Sequence, residues 1–122
     1  MLMPQQTLYK AFVHAFQGLG SFLRNDRNGR IHLLAAIAVI IAGIVFGLSA
    51  VEWCLVMLCI AGVMGFEMLN HALEKFCDAV HPQTHPLIKI VKDVAAAAVL
   101  WWAIISVIIA LFIFLPKIIA IL

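Results

Sequence analysis

The segment "FEMLNHALEKFCDAV", residues 66–80, carries Glu67, Asn70, Glu74 and Asp78 at i, i+3, i+7 and i+11. At 100° per residue, these positions share one stripe of a helix. Carboxylates on such a stripe can take a proton from a hydroxyl. They can also hold Mg²⁺, which binds through one or two carboxylates alongside substrate phosphates. Lys92 and Asp93 stand just before a later apolar run, and Asp26 lies ahead of the first one. A lysine offers phosphate a point charge. A base, further carboxylates, an amide and a lysine at one depth suit phosphoryl transfer, which needs little beyond positioning and charge neutralisation.

The elements that hold these residues are membrane helices. The chain has 122 residues, of which 66% are hydrophobic, and reads as one domain too apolar for an ordinary soluble protein. A bilayer's hydrocarbon core needs about 20 apolar residues per helical span. Leu33–Val51 and Val94–Leu115 carry no charge, and the shorter run Trp53–Phe66 is bounded by Glu52 and Glu67. Three transmembrane helices are expected, over 31–50, 50–80 and 86–120. The second continues about three turns into water, which leaves Glu67 at the membrane edge. Carboxylates near hydrocarbon are costly and usually face protein or a water-filled cavity. A solvated face paired with Lys75 or Lys89 is the plainer alternative, and it suits Asp78 better than Glu67.

Before the first span, "LYKAFVHAFQGLGSFLR" sets Leu8, Phe12, Ala15, Phe16, Leu19, Phe22 and Leu23 at helical spacing. An amphipathic helix over 4–24 follows, lying on the membrane surface or docked on the spans. The charged thirty residues ahead of the first span do not fit a cleaved signal peptide. Basic residues set the orientation. Arg24, Arg27 and Arg30 precede span one, Lys75, Lys89 and Lys92 lie between spans two and three, and "GLSAVEW" has none. The N-terminus and the 72–92 loop are therefore expected in the cytoplasm. Ser49 and Glu52 form an S-x-x-E capping box for the second helix.

Cys54, Cys59 and Cys77 suggest packing rather than disulfides. A net charge of +2 gives no argument for nucleic acid. Pro82 and Pro86 interrupt the helix around His71, Cys77, His81 and His85, which argues against a transition-metal face. Gly43-x-x-x-Gly47 and Ala95–Ala98 read as close helix contacts. Trp101 and Trp102 are expected to pack between helices, and Pro116 to mark the outer end of span three. There is no G-x-x-x-x-G-K-S/T loop, protein-kinase glycine loop or H-R-D.

"EMLNHALEKFCDAVHPQTHPLIKIVKDVAAAAVL" resembles the E-x-x-N-S/T-A-I/V-E-x-x-x-D … K-D-x-A/G-A/G-A/G-A-V-L pattern of the small bacterial membrane kinases, the diacylglycerol kinase/undecaprenol kinase family. "NDRNGRIHL" and "FLPKI" extend the resemblance over nearly the whole chain. It implies an ATP- and Mg²⁺-dependent lipid kinase of the bacterial inner membrane, a homotrimer with sites shared between subunits. By position, Glu67 would be the general base, Asn70 a support for base or nucleotide, and Glu74 and Asp26 the metal ligands. Lys92 and Asp93 would contact phosphate and nucleotide, and Lys10, His14 and Gly18 would lie on the surface-helix side of the nucleotide site. The chain departs from the pattern at Asp26, one methylene shorter than the usual Glu, at His71 in place of Ser/Thr, and at Ala97, where many members have Gly. The segment from His81 onward resembles the undecaprenol branch, so undecaprenol is the expected acceptor, with diacylglycerol the alternative. The competing class is a non-enzymatic transporter or assembly subunit, which would be expected to carry mid-bilayer charges; here the acids fall at interfaces.

Overall fold

The computed structural model describes residues 7–122. Four helices follow one another: α1 (Leu8–Asn25), α2 (Arg27–Phe46), α3 (Ala50–Val80) and α4 (Pro86–Ile121). Residues 4–6 of the expected surface helix lie outside the described part. Three helices, α2 to α4, are long and apolar enough to cross a membrane. The protein is an all-α membrane protein with an amphipathic helix ahead of its spans.

Each boundary has a local cause. The Thr7 hydroxyl accepts from the Lys10 amide at 3.2 Å and starts α1. Asp26 alone separates α1 from α2; its extended backbone (φ −108°, ψ 108°) turns the chain. Gly47 ends α2 with φ 70°, a left-handed conformation that glycine adopts without a Cβ penalty. The expected close-contact pair therefore divides: Gly43 packs beneath Trp53 and Leu48, whereas Gly47 is a turn residue. At the start of α3, Glu52 N–H donates to Ser49 Oγ at 3.2 Å and Ser49 N–H donates to Glu52 Oε1 at 3.0 Å. The capping box is present. The His85 ring accepts from the Leu87 amide at 3.1 Å, and Pro86 begins α4 where an amide proton is dispensable.

α3 is the central element, packed most extensively on α4 and then on α2, while α1 packs on α2. Leu48, Val56, Ile113 and Phe114 form the buried core at the end of the bundle that holds the α2–α3 turn. Nearer the acidic end of α3, the Trp102 indole lies directly on Gly62 and 5.2 Å from the Phe66 ring. Any Cβ at position 62 would collide with that indole. Two expectations are corrected here. Trp101 does not pack between helices but points outward, 73% exposed, because its neighbour takes the inward position and the next side chain is rotated by 100°. Pro116 does not end the helix. α4 runs through it to Ile121, and Lys117, one residue on, pairs with Glu52 at 3.2 Å. The uncovered apolar side chains, among them Leu34, Ile44, Leu58, Leu100 and Phe112, form the surface that a bilayer would cover.

Candidate active site

The buried face of α3 reads Val56, Glu67, Asn70, Cys77. One continuous stripe thus begins among hydrocarbon side chains and turns polar at Glu67. Glu67 is only 3% exposed, and Asn70 8%. A carboxylate and an amide this well covered belong to the protein interior, not to a solvated face. One helical turn on, the Asn70 amide donates to Glu74 Oε1 at 3.1 Å. Glu74 itself is exposed at the open end of the stripe.

Asp26 comes from the α1–α2 corner. It occupies the N-cap position of α2 without using its side chain as a cap. Its carboxylate points instead toward α3, where Oδ1 is 4.0 Å from His71 Nδ1. The Asp26 and Glu74 charges both act on Glu67, so three carboxylates share one electrostatic neighbourhood. Two side chains fix the corner. Arg30 donates to the carbonyls of Leu23 and Arg24 at 3.0 and 2.8 Å, tying the end of α1 to α2. The Phe22 ring is buried against Gly29, with its centroid 5.7 Å from the His71 ring. Sequence reasoning read Phe22 only as part of an apolar helix face and Arg30 only as a charge setting orientation, because their partners are a glycine and backbone carbonyls, which leave no pattern. The proximity of His71 was foreseeable from its place on the stripe.

Asp26 Oδ2, Glu67 Oε2 and Asn70 Oδ1 are buried without a hydrogen-bond partner among the described residues. Bringing like charges together is unfavourable unless a proton or a cation offsets the repulsion. Orphaned carboxylate oxygens form a hard, all-oxygen donor set of the kind Mg²⁺ takes. No group of three or more His, Cys, Asp or Glu side chains converges into a complete metal cage among the described residues.

The remaining candidates lie apart from this cluster. Lys92 binds Asp78 across the α3–α4 junction, and Lys89 binds Asp93 within α4 at 2.6 Å. Asp78 thus has a lysine partner, but it is Lys92 rather than Lys75 or Lys89. Both pairs are open to solvent, where ion pairs are weak and readily exchanged. Among the described residues no Lys or Arg forms an ion pair with Asp26, Glu67 or Glu74. Lys10 and His14 are exposed on α1, with His14 meeting Gln17 at 3.3 Å, and Gly18 faces open space.

The pattern of the family described as "Prokaryotic diacylglycerol kinase" matches residues 13–114. An undecaprenol kinase of Bacillus subtilis is 46% identical over 109 residues, covering 89% of each chain. A diacylglycerol kinase of Synechocystis sp. is 38% identical over 114 residues, covering 93% of this chain and 65% of the relative. The family match spans α2, α3 and most of α4, including the corner and the acidic stripe, and so this chain belongs to the prokaryotic diacylglycerol kinase family and is a lipid kinase.

Proposed function

We propose that the chain transfers the γ-phosphoryl group of ATP to the hydroxyl of a membrane lipid at the cytoplasmic interface, with undecaprenol as the acceptor. The observation that carries this reading is the covered Glu67 carboxylate, whose Oε2 has no partner, at the point where an apolar stripe turns acidic. A lipid hydroxyl lies at the same depth as that change. Undecaprenol is favoured over diacylglycerol because the relative named for it shares more identity over a fuller length.

In this reading, Glu67 accepts the hydroxyl proton as the lipid oxygen bonds to the γ-phosphorus. The bond from that phosphorus to the β–γ bridging oxygen breaks, and its electron pair leaves on ADP. Glu74, steadied by Asn70, and Asp26 would hold Mg²⁺, which supplies neutralisation of the polyphosphate charge. Lys92 and Asp93 can exchange their exposed partners for phosphate and nucleotide. Lys10, His14 and Gly18 would line the nucleotide from the side of α1.

The acidic half of this site is gathered in one chain, whereas basic groups for the triphosphate are not. A homotrimer with shared sites, with the N-terminus and the 72–92 segment in the cytoplasm, supplies them from a neighbouring copy. The test is purified protein in micelles with labelled ATP, Mg²⁺ and a panel of lipid alcohols. Label should pass to undecaprenol in preference to diacylglycerol. Transfer to diacylglycerol alone would overturn the acceptor, and transfer to no lipid alcohol would overturn the kinase reading.

A further inference from the structure

A cavity of about 260 Å³ lies between α2, α3 and α4 on the membrane side of Glu67. His32 and Ala36 line it from α2, Val56 and Met64 from α3, and Ser106 and Ala110 from α4. Its α3 wall is the same stripe that carries the acids: Met64 precedes Glu67 by one turn, about 4.5 Å along the axis. The cavity is therefore the hydrocarbon-side continuation of the candidate active site. Each wall covers eight or nine residues of helix, which is roughly 10–12 Å of depth. Small side chains on α2 and α4 keep the space open.

Lipid and helix are equally apolar, so water exclusion does not close such a space, and an unfilled cavity leaves its lining without van der Waals partners. We propose that this cavity is a subsite for a single hydrocarbon chain: it takes the isoprene units next to the hydroxyl of a polyprenol and so delivers that hydroxyl to Glu67. The inference rests on the lipid-kinase reading and adds how the acceptor is selected. The depth of the walls suits about two isoprene units of a single chain. The rest of the tail leaves between the helices into the bilayer.

Two experiments on the full-length protein in micelles test the subsite. The first uses a prenyl alcohol carrying a diazirine on its second isoprene unit, with labelled peptides mapped by mass spectrometry. Label is expected within 32–39, 56–64 and 103–110, and should be lost in Ser106→Phe but kept in Ser106→Ala. Label confined to outward positions such as Trp101 and Phe112, or unchanged in Ser106→Phe, overturns the proposal. This readout does not depend on turnover, so it separates failure of the subsite from failure of the kinase reading. The second measures kcat/KM along a series of prenyl alcohols. The gain from the second isoprene unit, about tenfold or more for several methylenes in an apolar pocket, should vanish in Ser106→Phe and in the independent variant Ala110→Leu. Activity on the one-unit alcohol, which needs only the Glu67 end of the cavity, should fall much less than activity on the two-unit alcohol. An equal gain in wild type and both filled variants contradicts the subsite.

Discussion

The Asn70 side chain donates to Glu74 Oε1 at 3.1 Å and also lies close enough to Glu67 to act on its carboxylate, since both acids flank it on the same stripe. The bond restrains Glu74 and leaves Glu67 Oε2 uncommitted within the protein. One acid is thereby oriented and the other kept available. Asn70→Ala should raise the Mg·ATP concentration needed for half-maximal rate about tenfold or more, in keeping with a lost hydrogen bond to a charged group. The lipid-alcohol KM should stay nearly constant. A larger effect on the alcohol than on Mg·ATP would detach Asn70 from nucleotide binding.

The Gly62–Trp102 contact sets how closely α3 approaches α4. Gly62→Leu should destabilise the fold by about 1–3 kcal/mol, the usual cost of overpacking. Pairing it with Trp102→Ala should recover part of that loss. Thermal unfolding in micelles followed by circular dichroism reads both effects. Additive losses in the double variant would mean the two residues do not share the contact.

Arg30 should matter through the corner it braces. In Arg30→Ala, backbone amides of residues 22–27 should exchange with deuterium faster than in wild type, while α3 and α4 keep their protection. Uniform acceleration throughout the chain would point to global destabilisation instead.

Orientation is open to a direct check. Single cysteines at 80–88 should react with a membrane-impermeant reagent only from the cytoplasmic side, and those at 49–50 only from outside, after Cys54, Cys59 and Cys77 are replaced by Ala. The reverse pattern would separate the acidic stripe from cellular ATP.

Much of this architecture is legible in the residues. Charge-free lengths identify three spans, Ser49 and Glu52 announce their cap, and the 67–70–74 spacing places the acids on one face. What escapes sequence reasoning is lateral placement. Lipid is as apolar as a protein core, so hydrophobicity cannot tell Trp101, which faces outward, from Trp102, which packs on Gly62. Gly47 reads as a packing glycine until its backbone dihedral shows a turn. The Lys92–Asp78 pair joins residues fourteen apart, and several lysines would have served equally well by spacing alone.

The most direct measurement compares Glu67→Gln with Glu74→Gln, scoring turnover and Mg·ATP binding separately on each purified variant. The two positions are roughly 10 Å apart along α3, Glu67 next to the apolar run and Glu74 nearer the polar end of the helix. Glu67→Gln should lose about 10²–10⁴-fold in turnover, as removal of a general base does, with Mg·ATP affinity nearly intact. Glu74→Gln should weaken Mg·ATP binding and recover partly as Mg²⁺ is raised. Equal loss of nucleotide affinity in the two variants would contradict the division between a proton acceptor and a metal-side carboxylate.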